Sequence, residues 1–338
     1  MARRIILISL LIVSLQCLSG GSASAQNTNP CLSTTTWWFP DPVPPGWFYY
    51  SAYPGTYVYV IAAYTIACPP PPEASCSNAP APTGGKPIYL CSGDTFIKET
   101  DVAIPGLGGG LNLQRTWHSI WPANEAASSI GLFGPNWRST YEEKIFKGGD
   151  NYWKYAREDG GFYSFAIDPS TNNLVIVSPL NVSATLSQSG TSWVLLFKDL
   201  SQRQFSLTTG LLTAIIDRSG NVTQLTYDNL NRLTTVTDPA ARHLYFNYAN
   251  GSSYLVTSVT SDVGITLSYS YDAQGRLNQV TKPDLTTVSF AYNTQSQITS
   301  VTDSNGKVLE SHTYDSTGHG LTSSQANGMN ALTLSYPQ

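Results

Sequence analysis

Two pairs of neighbouring carboxylates, Glu99 with Asp101 and Glu142 with Glu143, come nearest to a catalytic set in this chain. Two carboxyls flanking a glycosidic bond can serve as acid and base or nucleophile, so such pairs raise glycoside hydrolysis as a chemistry. Side chains of adjacent strand residues point to opposite faces, which disfavours Glu142–Glu143 as a working pair. Glu-x-Asp on one strand face is a common pattern on solvated sheets. The four histidines, His118, His243, His312 and His319, are scattered, and none sits in a metal-binding or paired-base frame. Gly106 to Gly110 is rich in glycine but lacks the spacing and following Lys of a phosphate loop, so it reads as a turn. No Gly-x-Ser-x-Gly elbow is present. The residues assign no catalytic group, no cofactor and no metal, and the chain reads as a non-enzyme.

The cysteines point to staples rather than chemistry. Cys31, Cys68, Cys76 and Cys91 all precede residue 92, and their spacing matches no zinc motif. Four cysteines in an exported chain suggest two disulfides, with three connectivities open. Export is read from the N-terminus: Arg3-Arg4, an apolar run from Ile5 to Leu15, then Ala23-Ser24-Ala25 before Gln26. This is the pattern of a signal peptide over 1–25. A lipoprotein cut at Cys17 is the lesser alternative, disfavoured by Gln16, and the apolar run is too short to span a bilayer comfortably.

Residues 26–83 mix aromatics with prolines, including Trp37, Trp38 and Trp47 beside Pro40, Pro42, Pro44 and Pro45. Those three tryptophans could stack on a glycan; packing against a neighbouring domain is the plainer reading. Cys68-Pro-Pro-Pro-Pro and the Pro-rich run at 79–85 read as a stiff linker.

The elements that would position any of these groups are set by a repeat. Aromatics at Phe205, Tyr227, Tyr248, Tyr271, Tyr292, Tyr314 and Tyr336 recur about every 22 residues. The clearest units read Tyr227-Asp228-Asn229-Leu230-Asn231-Arg232-Leu233 and Tyr271-Asp272-Ala273-Gln274-Gly275-Arg276-Leu277, with weaker ones at Tyr292 and at Tyr314-Asp315. Such a period marks an architecture whose units must stack to bury a core. Before each aromatic, apolar residues alternate with polar ones (Val222, Leu225, Tyr227; Leu267, Tyr269, Tyr271), which predicts a half-buried strand. Asp-x-x-Gly or Asp-x-x-Asn predicts a tight turn in which Asp caps and Gly or Asn takes positive φ. A second alternating run follows, with Leu233, Thr235 and Thr237 on one face, and Pro239 or Pro283 stops it. The Arg232–Arg276 row is expected to pair with Asp of the neighbouring unit, and the Tyr row to form an inner ladder.

Tyr-Asp-x-x-Gly-Arg-Leu-x-x-Val-Thr resembles the YD repeat of Rhs proteins, a family of polymorphic toxins, insecticidal toxin-complex shells and teneurins. Upstream, Glu99-Thr100-Asp101, Arg115-Thr116-Trp117-His118-Ser119 and Phe133-Gly134-Pro135-Asn136-Trp137 follow the order of the β-rich domain that precedes YD repeats in bacterial members. The resemblance covers roughly 84–338 and leaves out the Cys-rich front; Ser92-Gly93-Asp94 departs slightly from the family's usual residues. It implies an all-β fold in which antiparallel strand-turn-strand repeats form a spiralling sheet, part of a shell. The domains expected are a signal peptide (1–25), a Cys/Pro/aromatic segment with linker (26–83), an Rhs-associated β domain (84–200) and YD repeats (201–338). Asp168-Pro169 and Asp238-Pro239 lack the Gly-Leu of the family's autoproteolysis motif, so no toxin release is expected. The last unit stops at Tyr336-Pro337-Gln338, which suggests a truncated or split member completed by a further Rhs chain.

Charged residues are 12% of the chain and the net charge is −4, so nucleic acid is not an expected partner. The leading function is an exported, non-catalytic scaffold; a carbohydrate-binding or adhesive module is the alternative. An outer-membrane barrel is disfavoured by the many Thr, Ser and Asn that would face lipid, and a parallel β-helix by the tight turn within each unit.

Overall fold

The computed structural model describes residues 87–90, 92–120, 131–149, 151–168, 173–179 and 182–336, together with the strands Ile8–Leu10, Leu32–Phe39, Tyr49–Ala52, Val58–Thr65 and Thr83–Gly84. The chain divides into two compact units, Met1–Pro70 and Pro71–Gln338. In the first, an antiparallel sheet of four strands runs in the order Ile8–Leu10, Leu32–Phe39, Val58–Thr65, Tyr49–Ala52. Apart from Ile8–Leu10, the leader expected over 1–25 lies outside the described residues, as do Trp47 and all four cysteines.

The second unit is built on one antiparallel sheet of 19 strands, from Lys144–Lys147 to Leu332–Thr333, each paired with its neighbour in sequence. No α-helix occurs among the described residues; the helical pieces are two 3-10 turns, Leu107–Gly109 and Ala326–Gly328. The sheet runs unbroken across residue 200, so the hairpins before the repeats and the repeats themselves form one layer. Two hairpins precede the repeats: Trp153–Ala156 pairs with Phe162–Ile167, and Ala184–Ser189 with Ser192–Phe197. The second is tight, because Ser187, Gln188 and Ser189 stay in the ladder and the turn is Gly190-Thr191.

Each repeat contributes two strands and two turns. In the strand before the aromatic, alternate residues are buried, but the phase differs from expectation in the first unit. Thr223 and Leu225 face inward, and Val222 is exposed. In the following strand the buried residues are three apart, Leu233 and Val236, Val256 and Val259, Leu277 and Val280, Ile298 and Val301. Simple alternation, which put Leu233 with Thr235 and Thr237, fails because the pairing slips at each aromatic: Thr226 faces Thr235, yet Tyr227 faces Leu233. The same bulge recurs at Tyr248, Tyr271, Tyr292 and Tyr314. One extra residue per unit flips the face of everything beyond it and sharpens the local twist.

The inner face of this sheet is covered by a second, small antiparallel sheet of Phe96–Ile104, Leu111–His118 and Trp137–Ser139. Its Ile97, Leu111, Leu113, Trp117 and Trp137 are buried and join one core with the inner residues of the repeats. Neither layer could hide its apolar face alone, and together they form the two-layer solution common to β domains.

Candidate functional site

The repeat motif works as a set of fasteners. Each aromatic from the second onward donates its phenol O–H to a backbone carbonyl of the preceding unit. Tyr227 reaches Leu212 O at 2.7 Å, Tyr248 reaches Leu233 O at 2.8 Å, and Tyr271 reaches Val256 O at 2.6 Å. Tyr292 reaches Leu277 O, Tyr314 reaches Ile298 O and Tyr336 reaches Gly320 O in the same way. The bulge turns each ring toward the previous unit, where the hydroxyl satisfies a strand-end carbonyl. Burial pushes the phenol pKa of Tyr227, Tyr248, Tyr271 and Tyr314 well above the ordinary tyrosine value, so these groups remain donors.

The Asp of each motif closes its turn. Asp228 Oδ1 accepts from Leu230 N and Arg232 N, both at 2.9 Å, and Asp272 Oδ1 accepts from Gln274 N and Arg276 N. Asn293 and Asp315 repeat the arrangement. The turn places one residue at positive φ, taken by Asn231 (φ 61°) and Gly275 (φ 75°) as the sequence predicts. Those turn hydrogen bonds help hold the Asp228, Asp272 and Asp315 carboxyls below the ordinary value, against the opposing pull of desolvation.

The arginines depart from expectation. Arg232 and Arg276 pair with the Asp of their own unit, Asp228 and Asp272, four residues back. They reach the next unit through its backbone and its ring. Arg232 Nη1 donates to Asn250 O and Ser253 O and stacks 4.6 Å from the Tyr248 ring centre; Arg276 Nη1 donates to Asn293 O and stacks 4.8 Å from Tyr292. A planar guanidinium can bind carboxylate, carbonyl and aromatic face at once, which a repeat-to-repeat ion pair would not achieve.

A ladder of aromatic pairs joins the small sheet to successive repeats. Tyr141 meets Phe246, Phe133 meets Tyr269, Trp137 meets Phe290, and Trp117 meets Tyr314. At its centre Arg115, 1% exposed, binds both carboxylate oxygens of Asp101 (Nη2–Oδ1 2.8 Å) and lies 4.7 Å from the Trp137 ring centre. Tyr269 of the repeats donates its hydroxyl to Asp101 Oδ2 at 2.8 Å. Burial alone would lower the Arg115 pKa, and Asp101 more than offsets it, so the guanidinium is held charged. Arg115 and Trp117 are thus buried interlayer locks.

The paired carboxylates face inward rather than toward solvent. Glu99 and Asp101 share the Arg115 side of their strand, and a bulge at Asp101 aims it at the guanidinium. Burial raises the Glu99 carboxyl, against the pull of Arg115 and Lys282. Glu142 and Glu143 border a recess of about 300 Å³ that Tyr141, Tyr227, Arg232 and Tyr254 also line. They are tied in different directions: Glu142 Oε1 accepts from Leu132 N at 2.7 Å, and Glu143 Oε2 accepts from Arg203 Nε at 3.0 Å. Burial raises both, Glu143 to about 7. Each is committed to a separate structural bond.

The histidines are not gathered either; each lies against its own acid, as in His118–Asp94 at 2.6 Å and His243–Asp262 at 2.7 Å. The sequence reading missed Glu310, His312 and Ser323, which occupy inner positions held by apolar residues in earlier units. Register is the signal that would have found them, since Glu310 and His312 fall where Val288 and Phe290 fall one unit before. Trp37 and Trp38 lie on the strand Leu32–Phe39.

An antiparallel sheet of 22-residue units, fastened by Tyr, Asp and Arg and wound over an aromatic-rich small sheet, defines a YD-repeat wall. The comparisons agree: a family model described as RHS Repeat matches residues 208–243 and 255–287, and Domain of unknown function (DUF6531) matches 85–165. Together these matches support an Rhs/YD-repeat protein. Among curated proteins it is similar to tRNA nuclease WapA of Bacillus subtilis (strain 168), 28% identical over 204 residues. The tRNA(Glu)-specific nuclease WapA of Bacillus subtilis subsp. natto (strain BEST195) matches equally, and in each case 55% of this chain aligns with 8% of the relative. Among solved structures, TcdB2-TccC3 is 11% identical, with 87% of this chain and 18% of that one covered, at a TM-score of 0.30. The Photorhabdus luminescens Tc holotoxin pore is 13% identical over 55% of this chain and 11% of that one, at a TM-score of 0.28. The chain therefore spans less than a fifth of the length of these relatives.

Proposed function

We propose that the chain is an exported, non-catalytic scaffold, a stretch of Rhs-type wall whose task is to hold shape. The observation that carries this reading is the use made of the side chains that could do chemistry. Tyr227, Tyr271, Arg115, Asp101 and Glu143 are each engaged in a bond between units or between layers, and Asp228 and Asp272 close their own turns and hold Arg232 and Arg276. A group fixed in this way is a fastener, and its conversion to a catalyst would break the wall. The nuclease activity in the name of the WapA relatives belongs to proteins of which this chain matches a small share, so we assign the shared stretch to the scaffold. Export rests on the leader pattern over 1–25. Partners would be further Rhs chains rather than nucleic acid, and no helix among the described residues is long and apolar enough to cross a membrane.

The test is hydrogen exchange on the wild type and on Trp137→Ala. A wall wound on its inner sheet should exchange cooperatively, and loss of Trp137 should speed exchange in the repeats facing it, around Phe290. Repeats that stayed equally protected in the variant would refute the scaffold as described.

A further inference from the structure

In an antiparallel sheet every second turn lies on the same rim. Here one rim carries the turns after Phe197, Ile216, Thr237, Ser261, Thr281, Asp303 and Gln325, and an exposed apolar side chain stands at nearly all of them. Leu200 (65% exposed), Val222, Val263, Leu285 (81%), Val308 and Met329 sit at or beside six of these turns. At the remaining turn, 238–242, the side chain is Ala241, and the loop of Leu107 (64% exposed) is laid against it: Arg242 Nη2 donates to Pro105 O at 3.0 Å. The opposite rim carries fewer: Leu207, Leu230 and Tyr254 stand at three of its turns, and its turns 272–276, 293–297 and 315–319 carry no large exposed apolar residue.

Two of these side chains sit where leucine is costly. Leu200 and Leu285 occupy the positive-φ position of their turns (φ 70° and 66°), which Gly220, Gly264 and Gly306 fill on the same rim. A leucine there bears left-handed backbone strain while exposing its side chain. Such outliers point to a role outside the fold itself.

We propose that this rim docks against the same rim of a second copy of the chain, related by a two-fold axis. Spacing is the first argument. Neighbouring strands lie about 4.8 Å apart, so turns on one rim recur at about 9.6 Å and the seven span roughly 60 Å. A partner that meets an apolar side chain at each step needs the same pitch, and an identical rim has it. Charge is the second. Four of the turns offer one acid and one base each, Lys198 and Asp199, Asp217 and Arg218, Lys282 and Asp284, Asp303 and Lys307, while at a fifth Asp238 is buried in an ion pair with Arg242. Running the two rims antiparallel can set acid against base, as an isologous interface requires. With Asp262 the rim has five bases against six acids, so an anionic membrane gains nothing from it. A strip of that length and about 10 Å wide buries roughly 600 Å² per partner, the low end for a specific interface.

The experiment is sedimentation of the purified chain over concentrations from about 1 to about 200 µM, beside the double variant Leu200→Gly/Leu285→Gly. Glycine removes the apolar side chains and the positive-φ strain together, so the variant should melt higher yet dimerise at least about tenfold more weakly. Leu230→Ser, on the opposite rim, should dimerise like the wild type. A wild type that stays monomeric throughout, or a double variant that dimerises as tightly as the wild type, overturns the proposal. Monomers that co-sediment with phosphatidylcholine vesicles through Leu285 would overturn it in favour of a lipid surface.

Discussion

The hydroxyl of Tyr271 donates to the carbonyl of Val256 across 2.6 Å, and the same oxygen lies 3.4 Å from the carbonyl of Leu132 in the inner layer. One phenol thus ties its repeat to the repeat before it and touches the sheet beneath. Tyr271→Phe keeps the ring and removes the O–H, leaving a strand-end carbonyl without its donor. The expected loss is about 1–2 kcal/mol, read as a lower denaturation midpoint with secondary structure intact. Tyr336→Phe should cost less, because that hydroxyl lies nearer solvent and water can replace it.

The buried Asp101–Arg115 pair gives a sharper expectation. Removing one partner strands the other charge between the layers, so Asp101→Asn and Arg115→Met should each cost about 3–5 kcal/mol. Replacing both with apolar residues, as in Asp101→Leu/Arg115→Met, should be less damaging than either single change, and a double-mutant cycle measures the difference. Additive losses would show that the pair acts through packing alone.

Much of the wall was legible in the sequence, because its period, its turn residues and its alternation are local properties repeated several times. Gly275 and Asn231 declared their positive φ, and Asp228 its turn. The partner of Arg232 was not legible. An Arg four residues after an Asp can fold back or reach across, and the choice depends on where Tyr248 lies in three dimensions. The inward phase of Leu233 and Val236 was hidden by the bulge, whose extra residue leaves no mark in composition. Glu99 and Asp101 read as solvated because nothing local reveals that a second layer covers their face. The fasteners between layers, Trp137 on Phe290 and Tyr269 on Asp101, join residues more than a hundred positions apart, and one chain's local pattern cannot encode such pairings.

Ala241 sits at φ 59° in the turn that other units fill with Gly220, Gly264 or Gly306. Ala241→Gly relieves left-handed strain of about 1–2 kcal/mol, offset in part by the freer unfolded chain. A net gain of up to about 1 kcal/mol is expected in thermal unfolding. Gly275→Ala should do the reverse.

Acidity should stabilise this protein through neutral pH. Burial raises Glu99, Glu142 and Glu143 above the ordinary value of 4.5, Glu143 to about 7. A carboxyl with a higher pKa when folded binds more protons in the folded state. Its contribution is therefore present in full below about 4.5 and is lost as pH rises through the folded value. The turn aspartates act oppositely. Asp228, Asp272 and Asp315 are depressed, so their contribution holds above the ordinary 3.8 and fades as pH falls below it. The melting temperature should rise from about pH 8 toward pH 5 and drop below about pH 4. Glu143→Gln should flatten the upper part of that profile, and an unchanged slope would remove Glu143 as its source.

Glu310 and His312 stand 3.4 Å apart (Oε2 to Nε2) on the inner face, where the unit before them has Val288 and Phe290. His312 lies 6.5 Å from the Tyr314 ring, whose other neighbour is Trp117 of the inner sheet. A buried acid and imidazole must both be desolvated, and their attraction rarely exceeds that cost by much. Glu310→Val/His312→Phe restores the apolar pair of the preceding unit at a place already shaped for it, so the double variant should be more stable by about 1–4 kcal/mol. His312→Phe alone should be destabilising, because it leaves the carboxylate buried beside a ring. If the double variant is also less stable, the Glu–His pair supplies something to the contact with Trp117 that apolar packing cannot, and the polar inner face of the last repeat is a requirement of the fold.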